Sequence, residues 1–535
     1  MLPDSSSNAV LPVQPLRGRR VVVTDLDLQQ REHRGIAVYS KALLKALKEA
    51  GAEIWLLTDF DPPLKDARLN TLPASARELI YAARVMSALM HGPEGLQSPY
   101  VQAKLIQRSR LGTRLWRLWQ KLQILPEQLR RRSTYNADAL RGVNLHAQVD
   151  NPYFRLEKLD YFEQIDGILC ARYLYLNASR MAMERKPKPL KLKLGKHFDA
   201  LITTCPLNIA TSGSGACVQT VHDLIPLEYV QTTDYVPLFG QRLASCVSAK
   251  KLFVSASTQH KFEKTFSADS DAGGAVVMQP PSLRFPDPHK RRLLDKAFLQ
   301  PTKSGNRKTN DRHEELEPFR YLLFNSSVES RKNLLFAIKA YRLSGLAERG
   351  IRLCVTGQLK TDAYSQEVAQ QADRSVLLTG YIDETTKADL FLHALAVLSP
   401  SLVEGFGIPV LDGACVGAPV IASPSSSHRE IQELHDFREL VWICDTTNPY
   451  DWGLAIRDLG IAELARIEDP SVERQRRLNR YDAMSGEIFE AFKATVCEQV
   501  LEGIHNGSHP EPVKTAHRAN PIPFRARSAN NAAHS

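Results

Sequence analysis

At 535 residues and a net charge of +10, the chain is too long for one ordinary core and suits two large domains with additions. It has no run of about eighteen apolar residues that would read as a membrane-crossing helix. No zinc-finger, aromatic RNA-binding or helix-turn-helix pattern accompanies its basic residues, so no nucleic-acid partner is expected. The eight cysteines include no Cys-x-x-Cys and no Cys/His cluster with zinc spacing, so reduced, buried thiols are expected.

Residues 1–18 read as a disordered leader without the apolar core of a signal peptide, and a cytoplasmic protein is expected. Arg20 to Leu28 is a β-branched strand pattern, Gly35 to Gly51 is helical by period, and Glu53 to Thr58 is the next strand. Strand, helix, strand in that order opens a βαβ unit and predicts a parallel sheet covered by helices. Gly35 stands at the helix entry, preceded by Arg34.

Residues 61–197 show no such alternation and read as a helical, basic insertion in the first domain. Between Val101 and Tyr135 there are nine Lys or Arg against one acid, Glu127. Over 105–132, a row of Leu111, Leu115, Leu118, Leu122 and Leu125 runs beside Arg110, Arg114, Arg117 and Lys121. That pattern predicts an interfacial helix making peripheral contact with an anionic membrane surface; the alternative is an inserted helix packed on the first domain. A second basic run, 185–196, alternates Leu with Lys.

Strand patterns resume at Phe198–Thr204 and Ala216–Val221, the latter ending in His222-Asp223-Leu-Ile-Pro226, and again at Lys251–Ser257. The first Rossmann-like domain is therefore expected over 19–300. The polar, breaker-rich stretch 301–317 reads as the linker, and 318–480 as the second domain. That domain opens with Tyr321 to Asn325 and Arg331-Lys332-Asn333, followed by strands at Arg352–Thr356 and Val376–Leu378, then Gly380-Tyr381. A last helix at 481–502 is expected to cross back to the first domain, with 503–535 a disordered tail.

The most specific segment is Glu404-Gly-Phe-Gly-Ile-Pro-Val-Leu-Asp412, two carboxylates eight positions apart around Gly405-Phe406-Gly407-Ile408. Pro409 suits a first helical turn, and the orphan N–H groups of such a turn suit a phosphate. The stretch resembles the Glu-x7-Glu signature of the retaining glycosyltransferases of family 4, which have the two-domain GT-B fold. Together with the His-Asp-Leu-x-Pro loop it resembles the mannosyltransferase-like members. The resemblance implies that Glu404 contacts donor-sugar hydroxyls, that Asp412 holds the nucleotide ribose, that Lys332 neutralises the departing diphosphate, that Arg331 pairs with the diphosphate or with a local acid such as Glu329, and that Asn333 and Gly405-Phe406-Gly407-Ile408 belong to the donor site. It further implies that backbone at Gly380-Tyr381 brackets the base, that His222 faces the donor sugar near the reaction centre, and that Gly35 belongs to an acceptor or diphosphate loop. Two departures stand out: Asp412 replaces the second Glu, and Ser326 or Ser327 stands where many members carry another Arg.

By resemblance, the reaction is transfer of a hexose, mannose favoured, from a nucleotide sugar to a saccharide or lipid-linked acceptor hydroxyl with retention, without metal or cofactor. Polysaccharide or glycolipid synthesis would use it. The alternatives are a catalytically silent GT-B relative that only binds, and a nucleotide-sugar isomerase. Asp-x-Asp occurs at Asp25/Asp27, Asp59/Asp61 and Asp269/Asp271, scattered copies that point to no metal site. P-loop, nucleophile-elbow and zincin motifs are missing.

Overall fold

A computed structural model describes residues 14–28, 35–62, 67–91, 131–213, 215–229, 235–266, 273–285, 297–299, 314–434 and 437–507. The expected helix over 105–132 lies outside these residues apart from its last two positions. So do most of the leader and the linker, and the tail beyond 507.

The first body contains β1 (Arg20–Thr24), β2 (Glu53–Thr58), β3 (Thr134–Asn136), β4 (Arg141–Asn144), β5 (Gly167–Cys170) and β6 (Leu190–Lys193). It continues with β7 (Ala200–Thr203), β8 (Ile209–Ser212), β9 (Ala216–Val221), β10 (Lys250–Phe253) and β11 (Gly274–Val276). Eight of these form one sheet in the order β11-β10-β9-β7-β1-β2-β5-β4. Only β4 runs antiparallel there, against β5. Val21, Val22 and Val23 of β1 are fully buried between β2 and β7, the continuous apolar run expected of a parallel strand covered on both faces.

Residues 131–197 are not a bare insertion. β5 pairs in parallel with β2 and extends the main sheet, and a helix follows at Leu174–Ala182. The second basic run contains β6, whose Leu190 and Leu192 are buried while Lys191 and Lys193 are exposed. Its alternation is a half-buried strand in a parallel three-stranded sheet, β3-β6-β8.

A short antiparallel pair, β12 (Ala297–Leu299) and β13 (Glu314–Leu316), separates the bodies in sequence. The second body holds β14 (Tyr321–Asn325), β15 (Arg352–Thr356), β16 (Val376–Gly380), β17 (Ala396–Ser399), β18 (Val420–Ala422) and β19 (Val441–Ile443). Their order, β16-β15-β14-β17-β18-β19, is all parallel. Counted within the body this is 3-2-1-4-5-6, the doubly wound Rossmann order.

The last helix runs unbroken from Pro470 to Gly507. Arg480 donates to the Ala414 carbonyl of the second body at 3.3 Å, and Tyr481 donates to the Leu283 carbonyl of the first at 2.6 Å. Further on, Phe492, Val496, Val500 and Ile504 are buried, four apolar positions at helical spacing that pack along the first body's helix Gly35–Glu49 and strands β9 and β10. Among the described residues, no helix is long and apolar enough to cross a membrane.

Candidate active site between the two bodies

In a doubly wound sheet, ligands bind beyond the carboxyl ends of the strands where the strand order reverses. In the second sheet that place lies between β14 and β17. The loop after β14 carries Arg331 and Lys332; the loop after β17 carries Glu404. Both open into a cleft of about 1470 Å³ between the bodies, ample for a nucleotide-sized ligand.

Lys332 ends a short 3-10 turn, Ser330–Lys332. Its ammonium forms an ion pair with Glu404, and both side chains are nearly buried. Arg331 Nη1 stands 3.9 Å from the other Glu404 oxygen, and Arg331 Nε donates to Glu329 at 3.0 Å. Burial works against a charged Glu404, but Lys332, Arg331 and His428 outweigh it and hold its pKa down to about 2. Glu404 is thus an anion at neutral pH.

The Glu404 loop is shaped by contact. Gly407 has φ of 103° and caps the helix Ile408–Val416, with Pro409 in the first turn and Gly417 as C-cap. Any Cβ on Gly407 would stand 2.7 Å from the His428 ring. His428 is itself fully buried. Its Nδ1 lies 3.0 Å from the Ser423 carbonyl, and its Nε2 finds no hydrogen-bond partner among the described residues. Nothing in the sequence pattern had marked this histidine.

The facing wall comes from the first body. His222 follows β9, 7 % exposed, with its ring edge-on to Tyr39 at 4.9 Å between centroids. Its Nε2 lies 2.7 Å from the Thr204 carbonyl, and a carbonyl only accepts, so Nε2 carries the proton. Burial lowers the imidazole pKa, partly offset by that bond and by Asp27 and Asp223, which leaves a neutral ring. Asp223 accepts from the Ile225 N–H at 3.0 Å, while burial raises its pKa.

The two walls meet at glycines. A Cβ on Gly405 would lie 2.8 Å from both Asp223 Cβ and the His222 carbonyl, and one on Gly35 would lie 2.7 Å from Ile408 Cδ1.

Of the residues singled out by sequence, Gly35, His222, Arg331, Lys332, Gly380, Tyr381, Glu404, Gly405, Phe406, Gly407 and Ile408 all line the cleft. Two do not. Asn333 adopts a left-handed conformation, φ 57°, as N-cap of the helix Leu334–Ser344, and so turns the chain rather than facing a ligand. Asp412 is fully buried. One of its oxygens accepts the Ser282 backbone N–H at 2.6 Å and the other accepts the Ser282 hydroxyl. Where the sequence led to an expected ribose contact, the structure has a bond between the bodies at Asp412. Burial raises the Asp412 pKa to about 6, opposed by Lys387 and Ser282.

The cleft has four lysines and arginines on the second body's wall (Arg331, Lys332, Lys360, Lys387) and Arg242 on the first among the described residues. Lys332, Lys360 and Lys387 are held by Glu404, Glu329 and Glu384 respectively. Such fixed cations suit growing negative charge on a diphosphate.

Residues 306–463 match the family model for glycosyl transferases group 1. A 115-residue stretch is 28 % identical to the O-antigen chain mannosyltransferase B of Escherichia coli, covering 21 % of this chain and 30 % of that enzyme. The aligned stretch therefore spans under a third of that relative. Among solved structures, a sucrose-phosphate synthase from Thermosynechococcus elongatus overlaps 91 % of this chain and 98 % of its own, at 12 % identity and a TM-score of 0.45. Anabaena HepE, solved with UDP and glucose, overlaps 91 % and 100 %, at 12 % identity and a TM-score of 0.42. Two Rossmann-like bodies facing across a cleft, the second of them covered by that family match, make this a GT-B architecture.

Proposed function

We propose that the chain transfers a hexosyl group, mannose favoured, from a nucleotide sugar to a hydroxyl of a saccharide or lipid-linked acceptor, with retention and without a metal or cofactor. The observation that carries this reading is the Lys332–Glu404 pair, set on the two strand ends that flank the second sheet's switch point, with His222 on the opposite wall. The group 1 domain and the mannosyltransferase similarity support it.

In this reading the C1–O bond to the diphosphate breaks and a C1–O bond to the acceptor forms on the same face. The acceptor proton leaves on the diphosphate oxygen. Lys332 and Arg331 take up the charge that grows on that diphosphate, which is worth most where water is excluded. Glu404, kept ionised, positions sugar hydroxyls and supports positive charge at the anomeric carbon rather than attacking it. A neutral His222 offers Nδ1 as an acceptor for a sugar hydroxyl.

The test is release of nucleotide diphosphate from GDP-mannose, UDP-glucose and UDP-N-acetylglucosamine with octyl glycosides as acceptors. Release dependent on an acceptor supports transfer; binding of the donors without release favours a second reading, a silent binding subunit. That second reading draws on Asp412, which is occupied by Ser282.

A further inference from the structure

The first sheet has a switch point of its own. From β1 the strands extend to one side through β2 and to the other through β7, so the crevice beyond β1 and β7 is the place where a ligand would sit. Asp27 lies three residues beyond β1, and Thr204 directly follows β7. Asp27 lines the cleft although only 4 % exposed. One of its oxygens accepts the Thr204 hydroxyl at 2.8 Å, and the carbonyl of the same threonine accepts His222 Nε2–H at 2.7 Å. Thr204 is in turn pinned by its backbone N–H on the Thr24 hydroxyl at 3.1 Å. A single buried residue thus sets the spacing of a carboxylate and an imidazole that share one wall.

No lysine or arginine among the described residues forms an ion pair with Asp27. A carboxylate sheltered from water without a cation is costly unless hydroxyl or N–H donors satisfy it. The same wall carries the apolar Leu26, Ile36, Val38 and Phe239 together with Arg242 and Cys205, whose thiol donates a hydrogen bond to Asp27. A carboxylate edge beside an apolar face matches a pyranose ring, whose hydroxyls radiate from its rim and whose C–H groups cover its faces. Four of the cleft's cations stand on the opposite wall against Arg242 on this one, which favours the donor's diphosphate there and leaves this crevice for the other substrate.

We propose that Asp27 is the acceptor-positioning residue: its carboxylate takes hydrogen bonds from neighbouring hydroxyls of a saccharide acceptor, and Thr204 keeps it in register with His222. This rests on the transferase reading above and adds the class of acceptor and the residues that hold it. Thr204 acts through Asp27 and His222, not on the substrate.

The experiment compares the parent chain with Asp27→Asn, Asp27→Ala, Asp27→Glu and Thr204→Val. The acceptors are octyl α-mannoside, octyl β-glucoside and octyl N-acetyl-β-glucosaminide; the donor is the one the parent turns over. GDP and UDP binding is measured by calorimetry, and circular dichroism checks folding. Asp27→Asn and Asp27→Ala should raise the acceptor KM at least tenfold, with nucleotide Kd within twofold of the parent. Thr204→Val, which removes only a hydroxyl, should raise the same KM about threefold, and Asp27→Glu should fall between parent and Asp27→Ala. An acceptor KM within twofold of the parent in the folded variants, or a nucleotide Kd that weakens as much as the acceptor KM, overturns the proposal. So does a parent that hydrolyses donor yet glycosylates none of the three glycosides. A parent that releases no diphosphate at all overturns the transferase reading itself, and this proposal with it.

Discussion

Lys332 and Glu404 each leave the other stranded when removed, because both are nearly buried. Breaking such a pair costs about 3–5 kcal/mol of stability, and losing a transition-state contact costs about 2–4 kcal/mol in barrier. Lys332→Ala and Glu404→Ala are therefore expected to lose turnover and melt earlier. The double variant should melt higher than the summed losses of the singles imply. Turnover measured below the melting range separates the two effects; turnover equal to the parent's in both single variants would remove the pair from catalysis. Asp412 gives a pH signature. Its folded pKa, raised to about 6, exceeds its ordinary 3.8, so the folded state holds the proton more tightly. Its stabilisation is complete below about pH 4, declines as the pH rises to about 6, and stays constant above. The melting temperature of the parent minus that of Asp412→Asn should fall between about pH 4 and 7. A flat difference would mean that Ser282 and Lys387 already keep the carboxylate charged.

Among the elements, strands with β-branched or continuous apolar runs could be read directly: Glu53–Thr58, Ala216–Val221 and Arg352–Thr356 have the bounds that their sequence suggests. β5 could not, because Gly-Ile-Leu-Cys is short and opens on a glycine. That glycine is needed because Trp55 of β2 lies across it, 2.6 Å from where a Cβ would be. The loop after β17 was legible because spacing fixes which residues sit on a turn and which enter a helix. What spacing does not give is the partner on the other body. The bond from Ser282 to Asp412 was not foreseen because Ser282 lies 130 positions away in sequence, and Asp27 went unmarked because its Asp-x-Asp setting is one of three in the chain. The close approach of the two walls sets a contrast between two glycines. On Gly405 a methyl group meets the His222 backbone carbonyl, which cannot yield, whereas on Gly35 it meets the rotatable end of Ile408. Gly405→Ala should lower kcat/KM at least tenfold, and Gly35→Ala should stay within about threefold. Equal effects in steady-state kinetics would show that the walls are not in fixed contact during turnover.

At the scale of the whole molecule, the bodies are joined by more than the cleft residues. Glu430 of the second body accepts the backbone N–H groups of Ala256 and Ser257 at 2.8 and 2.7 Å, capping the first turn of the helix Ala256–Phe266 in the first. Tyr229 meets Ser330 at 2.9 Å. The helix Pro470–Gly507 spans both, with Lys493 to Glu49 at 3.2 Å and Lys250 to Glu502 at 3.0 Å near its far end. The crossing of that helix was expected from sequence, but the individual pairs were not, because each joins positions a hundred or more residues apart.

That helix also imposes an order on biosynthesis. The first body's strands leave the ribosome early, yet the apolar cover that Val496, Val500 and Ile504 provide emerges only after the whole second body has been made. Until then the nascent first body carries an unfinished apolar face, a surface that chaperones bind and that associates with like surfaces. A chain ending at residue 469 should accumulate as aggregate, and co-expression of a 470–507 peptide should return part of it to the soluble fraction. Recovery of a soluble, cooperatively melting 1–469 chain without the peptide would show that the first body completes itself, and that the helix is a late clasp rather than the last piece of its core.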